Sequence, residues 1–143
     1  MLLPLVGLVA VAACAAQRTT SPDAAGQAGA PLVSSLQVEQ YDDSVALTLQ
    51  VTNASAAPVA LTFPTGQSYD FLVEHAGREV WRWSGDQIFT QAIRIETLAP
   101  GQTERFQATW HPAPGESTKD FTAVGFLTAQ EYRGEQRARF RLP

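Results

Sequence analysis

A chain of 143 residues is the size of one domain, and with 45% hydrophobic and 17% charged residues it can bury a core of its own. A net charge of −4 removes the global basic character that nucleic-acid binding calls for, and a single cysteine excludes both an intrachain disulfide and a zinc site built on cysteines. His75 and His111 lie far apart in the chain with no carboxylate spacing that suggests a metal site, so neither metal nor cofactor is expected.

The chain opens on an apolar run, Met1 to Ala13 (MLLPLVGLVAVAA). A bilayer-spanning helix needs ~20 apolar residues, so this run is too short to cross and fits instead the apolar region of a signal peptide. It ends in Val11-Ala12-Ala13-Cys14. Small residues ahead of a cysteine suit a lipoprotein signal peptidase, whose pocket must admit the chain beside a lipid-modified thiol, and the string resembles the bacterial lipobox. The alternative is a general secretory signal cut at a nearby Ala-x-Ala-like site, with Cys14 incidental. The only cysteine stands at the one place a lipobox requires it, which favours lipidation. One departure is that Met1-Leu2-Leu3-Pro4 carries no Lys or Arg, where a signal peptide has a basic start. Residues 1–13 are therefore read as a lipoprotein signal peptide, Cys14 as the lipid-bearing residue, and the protein as anchored in the cell envelope through that lipid. Residues 14–31 follow as a flexible linker. After the cysteine they run AAQRTTSPDAAGQAGAP, without a large apolar side chain, too little surface to offset the entropy of ordering.

From Leu32 the pattern is a period of two. Leu36 and Val38 alternate with polar residues, and Asp42-Asp43 turns the chain. Val45, Leu47, Leu49 and Val51 alternate with Ala46, Thr48, Gln50 and Thr52, the clearest half-buried strand in the sequence. Asn53-Ala54-Ser55 turns again; its match to a glycosylation sequon is read as incidental. A short strand from Pro58 through Phe63 is broken by Pro64-Thr65-Gly66. Tyr69, Phe71 and Val73 then share one face of a strand, and Asp70, Leu72 and Glu74 the other. Ala76-Gly77-Arg78 makes a hairpin, and the chain returns through Val80, Trp81, Arg82 and Trp83 to a loop at Ser84-Gly85-Asp86. Ile93 and Ile95 lie on a further strand ending at Ala99-Pro100-Gly101-Gln102, where the proline presets φ for a turn. Phe106, Ala108 and Trp110 alternate, His111 to Glu116 is a Pro-rich loop, Phe121 to Thr128 is a strand, and Ala138, Phe140 and Leu142 alternate on the last one. No window after the signal peptide has a helical period; Glu131 to Glu135 has room for a turn at most. Residues 32–143 are thus expected to form one all-β domain, an immunoglobulin-like antiparallel β-sandwich of about eight strands, with a β-barrel as the alternative.

Two stretches carry more than periodicity. The first is Phe63-Pro-Thr-Gly-Gln-Ser-Tyr-Asp-Phe-Leu-Val, then Gly77 and Val80-Trp81-Arg82-Trp83-Ser84. The second is Phe89-Thr-Gln-Ala-Ile, then Leu98-Ala-Pro-Gly-Gln, Phe106 and Trp110. In this order they resemble the BsuPI family, the intracellular proteinase inhibitor domain of bacilli and its relatives, over roughly Leu36 to Leu142. The resemblance implies an immunoglobulin-like sandwich and a proteinase inhibitor that acts through protein–protein binding. The named inhibitor acts inside the cell, whereas the N-terminus here reads as exported, so the partner is expected in the envelope.

Three loops are candidates for a proteinase cleft: Pro64 to Ser68, Ser84 to Phe89 and His111 to Lys119. A rigid, extended loop suits that task because preorganisation lowers the entropy cost of binding. The residues assigned to partner binding are Gly66, Gln67, Tyr69, Trp81, Trp83, Ile88 and Phe89. Two readings stay open for Trp81 and Trp83, placed on one strand face: indoles filling the core, or an exposed aromatic patch. Arg137, Arg139 and Arg141 share a face, either a charged edge strand that resists aggregation or a surface for an acidic partner or lipid headgroups. No nucleophile-elbow glycine frame, HExxH or phosphate loop occurs, so no catalytic residue is assigned and the chain is not expected to be an enzyme. The alternative function is a non-inhibitory structural or interaction module that binds another envelope protein.

Overall fold

The computed structural model describes residues 31–143; the expected signal peptide, Cys14 and the linker up to Ala30 lie outside the described residues. Nine strands form: β1 (Leu32–Gln40), β2 (Val45–Asn53), β3 (Val59–Phe63), β4 (Tyr69–His75), β5 (Arg78–Arg82), β6 (Arg94–Leu98), β7 (Thr103–Trp110), β8 (Asp120–Leu127) and β9 (Gln136–Arg141). They pair antiparallel in the orders β1-β2-β7, β3-β6 and β5-β4-β8-β9. The sheets stay open rather than closing into a barrel, an all-β arrangement consistent with the immunoglobulin-like sandwich.

The alternation on β2 has its expected consequence: Val45, Leu47, Leu49 and Val51 are buried and the residues between them are half-exposed. On the facing sheet, β4 departs from strict alternation, with Asp70 to Val73 all buried. Its inner face enters the core, while on its outer face Asp70 is covered by Arg82 and Ser84 and Leu72 by Val124 and Phe126. Phe71 and Val73 enter the main core with Leu49, Phe63, Phe121 and Leu127. Leu72 turns outward and makes a small second cluster with Val124 and Phe126, over which the Arg133 guanidinium stacks at 4.5 Å. The two sheets approach closely at Gly125 of β8: a Cβ there would lie 3.0 Å from the Phe71 ring and 3.2 Å from Leu36 Cδ1.

The hairpin between β4 and β5 is a two-residue turn with φ of 48° at Ala76 and 76° at Gly77, both positive as the twist of the strands requires. One strand end differs from expectation. β5 stops at Arg82, and Trp83–Asp86 is a 3-10 turn, so Trp81 and Trp83 do not share a strand face. The cause is a side chain on the neighbouring strand: Asp70 captures the N–H and hydroxyl of Ser84 and draws the chain out of extension. Glu131 to Glu135 forms no helical turn.

Asn53 ends β2 with no exposure at all. Its amide donates to the carbonyls of Ala57 (2.8 Å) and Leu98 (3.0 Å), and its Oδ1 accepts from the Ser55 N–H and hydroxyl. The sequon asparagine is thus fully engaged in joining the β2–β3 turn to β6. Asn53→Ala is expected to lower stability by roughly 2–3 kcal/mol, chiefly through the orphaned buried Leu98 carbonyl and the lost turn bonds, read as a lower urea midpoint at unchanged m-value.

Candidate functional site

At one end of the four-stranded sheet, where Tyr69 pairs with Leu127, two of the candidate loops meet. The first, Pro64 to Ser68, links β3 to β4. Arg94, opposite Phe63 on β6, lays its guanidinium over the Phe63 ring at 5.2 Å. It donates to the carbonyls of Thr65 (3.3 Å) and Gly66 (3.2 Å) and to the Ser68 hydroxyl (2.8 Å). From the end of β8, the Thr128 hydroxyl donates to the Gln67 carbonyl at 2.6 Å and its N–H to the Ser68 carbonyl at 3.0 Å. The Gln67 amide donates to the Tyr69 carbonyl (3.0 Å) and its N–H to the Thr65 hydroxyl (3.1 Å). This loop is fastened along its length.

The second loop begins at the 3-10 turn. The buried Asp70 carboxylate accepts from Arg82 (2.8 Å), from the Ser84 hydroxyl (2.6 Å) and N–H (3.1 Å), and from the Phe71 N–H (2.9 Å). Glu79 grips the same guanidinium at 3.1 and 2.7 Å. Glu79 first, and then Asp70, hold Arg82 even more firmly in its charged form than usual, against the opposing effect of burial. Asp70 thereby fixes Trp83, whose ring stacks on Tyr69 at 4.3 Å and 19°. Phe89 packs on the far side of Trp83 at 5.8 Å, and Tyr69 contacts Phe106 of β7 at 4.8 Å. An aromatic column therefore runs from the loop into the core. Burial pushes the Tyr69 phenol above its ordinary pKa, keeping it neutral.

Between Asp86 and β6 the chain runs without regular structure, leaving the 3-10 turn extended at Gln87 (φ −107°, ψ 149°). Its flank is held by Phe89 on Trp83 and by a 2.8 Å bond from the Gly66 N–H to the Thr90 carbonyl. Gly66 is required there, because a Cβ would sit 2.6 Å from Thr90 Oγ1. Ile88 stands at the tip, 100% exposed.

Gly66, Gln67, Tyr69, Trp83 and Phe89 are thus gathered into one support, and Ile88 projects from it. Trp81 lies apart on β5, half-buried against the main core. Sequence reasoning missed Thr90, Arg94 and Thr128, exposed or half-exposed polar residues with no local signature. It placed Asp70 on a strand face with Leu72 and Glu74, although an aspartate inside the apolar run Tyr69 to Val73 is itself a signal of a buried anchor. The third loop, His111 to Lys119, does not join them. It borders an open groove of about 270 Å³ with Tyr41, Asp42 and Leu142, beside the start of β8 and so at the opposite end of that sheet. His111 Nδ1 donates to the Asp43 carbonyl (3.3 Å) and His75 Nδ1 to the Asp120 carbonyl (2.8 Å). Of the arginine row, Arg137 pairs with Glu74 and Glu135 and Arg141 with Asp120, while Arg139 is exposed. Among the described residues no three His, Cys, Asp or Glu gather to hold a metal, and no helix is long and apolar enough to cross a membrane.

Asp70→Ala would leave the Ser84 N–H without its partner and Arg82 held by Glu79 alone. The Trp83–Tyr69 stack is then expected to loosen, seen as a loss of near-UV circular dichroism with the far-UV β signal retained.

Comparison with known proteins gives a family match over residues 32–132, to BsuPI, described as intracellular proteinase inhibitor. This bears out the resemblance carried by the Gly66-Gln67, Trp81-Arg82-Trp83-Ser84 and Phe89-Thr90-Gln91 motifs. No curated protein matches the chain in sequence. Among solved structures, the sporulation control protein Spo0M from Bacillus subtilis is 14% identical over 78% of this chain and 49% of its own, with a TM-score of 0.46. A β-glucuronidase from glycoside hydrolase family 2 is 10% identical over 77% of this chain and 11% of its own, at 0.42. β-Glucosidase 3B from Thermotoga neapolitana is 10% identical over 76% of this chain and 15% of its own, at 0.41. The chain spans half or less of the length of each of these proteins, and at such similarity their activities carry no implication for it.

Proposed function

The chain belongs to the BsuPI family of intracellular proteinase inhibitors, and on that premise we propose that it blocks a proteinase by occlusion, offering Ile88 on the 87–93 loop to the enzyme's cleft. The observation that carries this reading is the pairing of a fully exposed apolar side chain with a base tied down on both flanks, before it by the Gln87 N–H on the Ser84 carbonyl (3.2 Å) and after it by Phe89 on Trp83 and Thr90 on Gly66. An isolated exposed isoleucine would be unremarkable, but one held on a preorganised loop loses little freedom on binding and brings its apolar area to the interface. The chain contributes no chemistry of its own in this mechanism. An apolar tip selects enzymes with an apolar specificity pocket, such as the subtilisin-like class, over trypsin-like enzymes that require a cation. Titration of the folded full chain against both classes is expected to inhibit the first and spare the second. No inhibition of any enzyme at micromolar concentration would overturn the reading in favour of a non-inhibitory envelope module.

The address is the second part of the proposal and rests on the Val11-Ala12-Ala13-Cys14 string alone. Lipid on Cys14 would tether the domain in the cell envelope and put the target proteinase there too. Cys14→Ser is expected to abolish acyl labelling and release the protein from membranes; unchanged membrane association would refute the lipid anchor.

A further inference from the structure

Beyond the inhibitor reading, we propose that the free edge of β6 pairs with the β6 edge of a second copy of this chain, giving a two-fold dimer centred on Ile95. The direction of the unused hydrogen-bonding groups comes first. Thr62 of β3 turns both of its main-chain groups away from β6: its N–H donates to Glu131 Oε2 at 2.7 Å, and its carbonyl accepts from the Gln130 N–H at 2.9 Å. Directly opposed residues of an antiparallel pair exchange both bonds or neither. Ile95 is opposite Thr62, so its N–H and carbonyl point outward from the sheet, and those of Thr97, opposite Ala60, do the same. Among the described residues β6 pairs with β3 alone, so that edge has no strand beside it. The edge carries no proline and no bulge, and its two charges, Arg94 and Glu96, are of opposite sign rather than a like-charged guard. Ile95, on its outer face, and Ile93, in the segment leading into β6, are 70% and 71% exposed.

The order of residues then selects the occupant. With two copies of β6 antiparallel about Ile95, Ile95 opposes Ile95 of the second copy, and the two exchange both main-chain bonds. Ile93 opposes Thr97 and Arg94 opposes Glu96. On the face shared by positions 94 and 96, the four side chains form a square of alternating charge. Each arginine has a glutamate beside it in its own chain, where the Arg94–Glu96 ion pair already exists, and another directly across. A parallel arrangement or a shift of one residue loses this match. The result is a continuous sheet in the order β3-β6-β6-β3, held by a short seam and therefore weak, as small interfaces are.

The test uses the full chain with Cys14→Ser, which removes the other thiol. Under mild oxidation Ile95→Cys is expected to give a disulfide-linked dimer. Ile93→Cys and Thr97→Cys should not cross-link alone, since the register separates identical residues by roughly 14 Å along the strands. An equimolar mixture of those two should cross-link. By sedimentation at submillimolar concentration, Ile95→Lys should be monomeric and the Cys14→Ser parent dimeric, with the same melting temperature. A monomeric parent, a dimer indifferent to Ile95→Lys, or equal cross-linking at all three cysteine positions would overturn the proposal.

Discussion

Truncation of Phe71 to alanine is expected to destabilise the domain by about 3–5 kcal/mol, the range for removing a large aromatic from a packed core. Phe71 has no exposure and sits on a strand hydrogen-bonded on both sides, so the backbone around it has little room to collapse into the void. Its ring meets Tyr69 edge-on at 5.7 Å and lies over Gly125, its partner on β8, where a Cβ would come within 3.0 Å. Since a domain of this size has a total stability of about 5–15 kcal/mol, the variant is expected to sit close to its unfolding threshold, with a large fall in urea midpoint followed by tryptophan fluorescence. The same geometry predicts non-additivity. Gly125→Ala alone should destabilise, because its Cβ would press on the Phe71 ring at 3.0 Å. In the Phe71→Ala background that Cβ enters vacated space, so the double variant should lose less than the sum of the two. Additive losses would show that the ring and Gly125 are not in the contact described.

Ile88→Asp is expected to weaken inhibition of a sensitive proteinase by at least roughly 30-fold, the equivalent of about 2 kcal/mol for one interface hot spot. Melting temperature should not change, because the side chain touches nothing in the free protein. Gly66→Val tests the support rather than the tip. A side chain at that position drives into Thr90, displacing the flank of the loop while leaving Ile88 present. It should weaken inhibition through lost preorganisation, with the change concentrated in a slower association rate. An Ile88→Asp protein that inhibits as well as the parent would remove the 87–93 loop from the mechanism and leave the His111 to Lys119 loop, with its groove, as the surface to examine.

Legibility followed the range of the interaction. The alternation of Val45 to Val51, the breaker at Pro64-Thr65-Gly66, the hairpin at Ala76-Gly77 and the turn at Pro100-Gly101 are local properties. A pleated strand has a period of two, and a positive φ favours glycine, wherever the segment lies in the fold. Family membership was also legible, since BsuPI is recognisable in the order of its turn and aromatic motifs. Leu72 was less so. It stands on the face of β4 away from the main core, and its burial depends on Val124, Phe126 and Arg133 arriving from elsewhere in the chain.

Sequence alone therefore determined the all-β class, the strand order along the chain and the family. Tertiary structure alone decided that Trp83 leaves the strand, that Asn53 is a buried joint, and that Thr90, Arg94 and Thr128 hold the loops around Ile88. The physical reason is common to these cases. Each depends on a hydrogen bond or stack between residues distant in the chain, as Asp70 is from Ser84 or Gly66 from Thr90, and neither partner's type declares the other until the sheets bring them together.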